Sequence, residues 1–249
     1  MEYQKKQKLL KSNKSGETRH ALFVLKKIRM SKMKILLVFL LSTGVLFAQE
    51  QKPAFWKDIQ SFKKKDSVSF PPPNAILFVG SSSFTMWKGV QKDFPSYTII
   101  NRGFGGSSLP DIIRYAGDII FPYQPKQIVI YCGDNDLAAA DSVSAQMVFK
   151  RFQNLFRLIR MNLPETDILY VAIKPSPSRW HLKNKMVEAN ELIRKFLKRK
   201  KQAKFVNVWK AMLGPDGKPM STLFLEDKLH MNASGYAIWQ KLIEPHLLN

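Results

Sequence analysis

The chain is poor in cysteine and in acidic side chains, and each shortage limits what it can be. A single cysteine, Cys132, in 249 residues rules out an intrachain disulfide and any cysteine-built zinc site. Cys132 ends an apolar run, so it reads as a buried, inert thiol. No cysteine lies near the small residue that ends the apolar N-terminal stretch, which excludes a bacterial lipoprotein anchor. Nineteen acidic residues face 40 Lys and Arg, a net charge of +21. Residues 1–48 hold 11 of the basic and 2 of the acidic side chains, which leaves 29 and 17, or +12, for residues 49–249. A basic surface favours an acidic polymer or an anionic envelope surface nearby, but it names no substrate. A nucleic-acid reader shows more than charge, and the sequence has no zinc-finger spacing, no RNP-like aromatic strand and no helix-turn-helix pattern. The expectation is therefore no nucleic-acid partner. Long apolar runs are also missing: Ile35 to Ala48 falls short of the roughly 20 residues that a spanning helix needs.

That short run has another reading. Met33-Lys34 opens a basic start, an apolar stretch follows, and a small residue stands at Ala48. Residues 33–48 thus read as a secretory signal peptide, with cleavage between Ala48 and Gln49. An uncleaved anchor is the alternative, because Leu46 is large for its place two before Ala48. Residues 1–32 form a basic leader that reads as a misassigned start, with Met33 as the true one; a basic arm for nucleic acid or a membrane surface is the competing explanation. The expected location is secreted or periplasmic, with membrane contact only through an uncleaved signal segment. Residues 49–72 form an N-terminal helix and linker, and residues 73–249 form one domain with one core.

Within that domain strands and helices alternate. Phe55, Trp56, Ile59 and Phe62 predict an amphipathic helix over 53–67, ended by Pro71-Pro72-Pro73. Strand candidates are Ala75–Val79, Tyr97–Asn101, Gln127–Cys132, Asp167–Ile173 and Lys204–Val208, nearly continuous in apolar residues as strands covered on both faces are. Helices are predicted over 142–162, 180–200 and 233–248. This order argues for an α/β fold, a parallel sheet between two helical layers. Right-handed crossovers gather the strand C-termini at one edge, where such sheets bind ligands.

Four polar clusters fall at that edge or in loops near it. Gly80 and Ser81-Ser82-Ser83 follow the first strand, where a hydroxyl in a sharp turn meets free helix N–H groups; serines there also serve as helix caps, and position alone does not say which acts. Asn101-Arg102-Gly103-Phe104-Gly105-Gly106 follows the second strand and Gly133-Asp134-Asn135-Asp136 the third. Gly106 allows a main-chain N–H to come close, and the Asn135 amide is a donor that does not titrate. A Gly-rich turn and an Asx-turn are the plain alternatives. Near the C-terminus Asp227-Lys228-Leu229-His230 puts a carboxylate three residues before an imidazole, close enough to hold one ring nitrogen and leave the other free as a base.

Together, and in this order, the four motifs resemble the blocks of the SGNH hydrolases, also called GDSL-type esterases and lipases, over about residues 73–249. The resemblance implies a three-layer α/β/α sandwich with a five-stranded parallel sheet in the order 2-1-3-4-5. It implies Ser82 as nucleophile with His230 and Asp227 as its triad partners. It also implies an oxyanion hole from the N–H of Ser82, the N–H of Gly106 and the side chain of Asn135. No metal or organic cofactor is implied. One departure stands out: the family's first block reads Gly-Asp-Ser, and here Ser81 takes the place of the aspartate. The activity so implied is hydrolysis of acetyl or short acyl esters on a carbohydrate, with a lysophospholipase or lipase-type acylhydrolase and a catalytically silent glycan-binding module as alternatives. The expected partner is a small-molecule or polysaccharide ester, and the oligomeric state is left open. Trp87, Phe104, Trp180 and His181 are pocket-wall candidates by position.

Overall fold

The computed structural model describes residues 52–249, together with Phe23, Lys26, Lys27, Arg29 and Met30. The signal-peptide reading of residues 33–48 and most of the basic leader lie outside the described residues. Among the described residues no helix is long and apolar enough to cross a membrane.

Ala54–Asn249 forms one unit around a five-stranded sheet. Its strands are β1 (Ile76–Gly80), β2 (Ile99–Gly103), β3 (Gln127–Tyr131), β4 (Asp167–Val171) and β5 (Ala203–Val206). All pairings are parallel, and the order is β2-β1-β3-β4-β5, as expected. Each strand lies within two residues of its predicted position. Tyr97 is left out of β2 because its N–H donates to Phe94 O in a turn.

Alternation along the strands divides the core in two. Leu77 and Val79 of β1 face one layer, while Ile76 and Phe78 face the other, as the two-residue period of a strand requires. The first layer holds α1 (Trp56–Val68), α4 (Leu109–Ile119), α6 (Ala145–Asn162) and α7 (Lys183–Leu197). Short helices α2 (Ser82–Thr85) and α3 (Val90–Asp93) cover the second, with α8 (Ala233–Ile243). A further short helix, α5 (Asp134–Ala138), follows β3. The helix predicted over 180–200 begins as a tight 3-10 turn, Trp180–Leu182, before α7. The one predicted over 233–248 stops at Ile243 and gives way to a 3-10 turn holding Pro245, which cannot donate into a regular helix.

Two of the four pocket-wall candidates are corrected by this packing. Phe104 is wholly buried because its N–H extends the sheet, donating to Gly80 O at 2.9 Å, and this turns the ring inward against Phe55 and Tyr115. Trp87 is buried likewise. It packs on Phe78, Phe94, Tyr236 and Trp239, and its indole N–H donates to Asp93. Aromatic rings beside a glycine loop meet the core here before they meet any ligand.

Candidate active site

The neighbouring strands β2, β1 and β3 end level with one another. Gly80 pairs with Gly103 on one side and Tyr131 on the other. A Cβ at Gly80 would lie 2.0 Å from Tyr131 O, so only glycine lets β1 leave the sheet so close to β3. The chain then turns into α2, which starts at Ser82. The carbonyl of Ser81 accepts the N–H groups of Phe84 and Thr85. Among the described residues no backbone carbonyl accepts from the N–H of Ser82 or of Gly106, as befits the first turn of a helix and an open loop. Gly106 has φ +85, a left-handed conformation that suits glycine, and it is exposed.

The β3 exit gives each residue of Asp134-Asn135-Asp136 its own surroundings. Asp134 is buried beside Lys174 Nζ, 3.4 Å away, and Arg179. The Asn135 Nδ2 amide donates to Ser107 O at 2.9 Å. Its Oδ1 accepts from both Nη1 and Nη2 of Arg179 at 3.0 Å. Asp136 is fully buried, accepts the Leu109 N–H at the start of α4 and pairs with Arg151 at 2.8 Å. Burial pushes its carboxyl above the usual range, against the pull of Leu109 N–H and Arg151. Burial also pushes the Lys174 ammonium below its ordinary value, opposed by Asp134.

His230 and Asp227 come from the far end of the chain. The loop that holds them is closed by the antiparallel bridge Phe224–Met231 and by Leu225 N–H donating to His230 O at 2.8 Å. Asn232 caps α8 directly after it, accepting from Ser234 and Gly235 N–H. Lys228 sits at φ 54, which tightens the turn enough for Asp227 Oδ1 to accept the N–H groups of Leu229 and His230 at 2.9 Å. Asp227 Oδ2 lies 2.5 Å from His230 Nδ1, and His230 Nε2 lies 3.0 Å from Ser82 Oγ. With the ring proton on Nδ1, Nε2 is free to accept from the serine hydroxyl. Partial desolvation raises the Asp227 carboxyl, but the hydrogen bonds from the His230 ring and from the two N–H groups outweigh it and bring it to about 2.

Ser82, His230 and Asp227 thus converge across 148 residues of sequence, with Gly106 and Asn135 on the loops that follow β2 and β3. His181 lines a cleft of about 570 Å³ that includes Asp227, Leu229, Arg179 and Leu137. Trp180 stacks on Trp209 with ring centroids 6.0 Å apart and is not among the residues lining that cleft. Sequence reasoning missed Lys174, Arg179 and Arg151. No local pattern marks them, because each meets its partner 15 or more residues away in the chain.

The sequence profile of the GDSL-like lipase/acylhydrolase family matches residues 78–238. Among solved structures, a protein from Streptococcus pneumoniae provisionally described as a platelet activating factor is 22% identical, with a TM-score of 0.68 over 86% of this chain and 99% of its own. A GDSL-like lipase from Bacteroides thetaiotaomicron is 20% identical, TM-score 0.63, over 76% and 96%. A variant of an acetyl-xylooligosaccharide esterase from Geobacillus is 13% identical, TM-score 0.58, over 72% and 96%. No curated protein sequence matches the chain. The profile takes in the Phe78-to-Asn135 stretch but ends at residue 238, beyond the loop of His230, so it spans every cluster described above. The chain belongs to the GDSL-like lipase/acylhydrolase family, a family of carboxylic ester hydrolases.

Proposed function

We propose that the protein is an exported serine esterase that removes acetyl or short acyl groups from a carbohydrate. The observation that carries the mechanism is the unbroken chain Ser82 Oγ, His230 Nε2, His230 Nδ1, Asp227 Oδ2, with steps of 3.0 and 2.5 Å. In this reading His230 takes the Ser82 proton as Oγ attacks the ester carbonyl, and Asp227 holds the tautomer and balances the imidazolium. The oxyanion accepts from the N–H of Ser82, the N–H of Gly106 and the second Nδ2 hydrogen of Asn135. Collapse of the tetrahedral species expels the alcohol, which takes its proton from His230. Water then attacks the acyl-serine, losing its proton to His230 and returning Ser82 as the free hydroxyl.

The signal-like segment at 33–48 supports export, and the net basic charge of residues 49–249 suits an anionic envelope. The cleft beside Asp227 is lined by His181, Asp141 and Ser178 as well as apolar groups, which suits a polar alcohol better than a long acyl chain. Hydrolysis of p-nitrophenyl acetate and of longer acyl esters, beside Ser82→Ala and His230→Ala, tests the reading. Each substitution is expected to lower kcat by several orders of magnitude, and activity is expected to fall as the acyl chain lengthens. An undiminished rate in either variant would falsify the mechanism, and a preference for long chains would replace the carbohydrate esterase with a lipase.

A further inference from the structure

The proposed oxyanion hole has a support that the triad does not explain. Asn135 is a two-ended amide, and its function depends on which end faces the reacting carbonyl. Flipped, it would present an oxygen to a developing negative charge. Both ends are fixed here. Ser107 O takes one Nδ2 hydrogen, and the Arg179 guanidinium places two N–H groups on Oδ1, at 3.0 Å each. Since a guanidinium can only donate, the oxygen must be the end that faces Arg179. The remaining Nδ2 hydrogen has no protein acceptor among the described residues. A cation on the carbonyl oxygen of an amide also draws electron density from its nitrogen, so the N–H becomes a stronger donor.

Arg179 is itself held. Its Nη1 lies 2.7 Å from Asp134 Oδ1, in an ion contact that runs off the N–H direction, since that oxygen has no properly aligned hydrogen-bond donor. Asp134 Oδ2 meets Lys174 Nζ at 3.4 Å, and Lys174 in turn reaches the Tyr131 hydroxyl at 3.3 Å. Lys174 is 1% exposed and Asp134 4%. Two basic side chains therefore share one buried carboxylate directly behind Asn135. Such an arrangement is costly for stability alone.

We propose that Arg179, seated on Asp134, is a positioning residue that fixes the orientation of the Asn135 amide and polarises it for the oxyanion hole. The proposal rests on the serine mechanism above. Although Arg179 also lines the cleft beside Asp227, the role proposed runs through Asn135, so its loss acts on kcat and leaves KM nearly unchanged.

The test is a double-mutant cycle on ester hydrolysis by the full chain, with Arg179→Met, Asn135→Ala and the double variant. Removing one oxyanion donor costs about 100- to 1000-fold in kcat, and Arg179→Met is expected to lose about 10- to 100-fold of that, with KM within about twofold. In the Asn135→Ala background the same substitution is expected to change kcat by less than about twofold, because the group it acts through is gone. Added guanidinium at low concentration is expected to restore part of the Arg179→Met rate and none of the double variant's. Should Arg179→Met fail to fold by thermal denaturation, Arg179→Lys, which keeps the cation but not the fork, carries the same cycle. Equal losses in the two backgrounds, or a raised KM with kcat intact, overturn the proposal while leaving the serine mechanism standing. Hydrolysis that survives Ser82→Ala overturns that mechanism and this proposal with it.

Discussion

Asp227 shows how a half-exposed carboxylate can be held in its charged form. Three N–H donors surround it, and its carboxyl lies at about 2 instead of 3.8. A carboxyl lowered by folding stabilises the native state above its unfolded value and loses that contribution as pH falls through its folded one. The gap in unfolding free energy between the wild type and Asp227→Asn is therefore expected to narrow as pH falls from about 4 toward about 2. Its side chain is 47% exposed, so solvent screening keeps the gap to about 1 kcal/mol or less. Urea titrations across that range check it, and a gap that widens on acidification would contradict it. At this scale the sequence was legible where a residue's partner is near in the chain. Asp227 and His230 are three apart and were readable as a pair. Asn135 and Arg179 are 44 apart and Asp134 and Lys174 are 40 apart, and nothing in either neighbourhood announces the other. Trp87 and Phe104 were misread because position beside a functional loop says nothing of which way a ring turns.

Among the elements, α4 was the main one that periodicity failed to find. It begins at Leu109-Pro110, directly after the glycine cluster, where the composition reads as loop. The available signal was its N-terminus: Asp111 Oδ2 accepts from the N–H of Ser108 at 2.9 Å and from its hydroxyl at 2.5 Å, and Pro stands in the first turn, where its missing N–H costs nothing. Asp136 adds a second acceptor at Leu109 N–H. Asp111→Ala is expected to destabilise the protein by about 1 kcal/mol, seen as a lower urea midpoint with an unchanged slope; a shift indistinguishable from zero would show that Asp136 caps the helix by itself. The strands were readable because runs such as Ile128-Val129-Ile130 are buried on both faces, and a continuous apolar run bounded by turns has few other readings.

The whole domain shares one weakness at high pH. Tyr123, Tyr131, Tyr170 and Tyr236 are all buried. Burial raises the hydroxyl of each above its ordinary value, that of Tyr123 to about 12 with further help from Asp66. Tyr123 and Arg102 both bind Asp66 of α1, so this ionisation would also loosen the helix that leads into the domain. A group whose pKa is raised by folding stabilises below its unfolded value and opposes folding as pH climbs past it. Stability is thus expected to decline from pH 10 upward, with the tyrosinate absorbance of these four rings and the loss of far-ultraviolet dichroism rising together in one transition. Absorbance exceeding that of the three other tyrosines of the chain well before the dichroism changes would mean that these rings are reached by solvent in the folded state.

The two halves of the proposed catalytic machinery stand on unequal foundations. Ser82, Gly106 and Asn135 leave three neighbouring strands whose ladders are in register, whereas His230 arrives on a loop held at its neck by one bridge and a few hydrogen bonds, with α8 behind it packed into the second layer and tied to Ser83 O by the Tyr236 hydroxyl. Local opening follows the sparser attachments first. Mild urea should therefore silence the enzyme while its β-sheet persists, with the base withdrawn from an intact nucleophile. Turnover and dichroism falling at the same urea concentration would mean that the two halves stand or fall together.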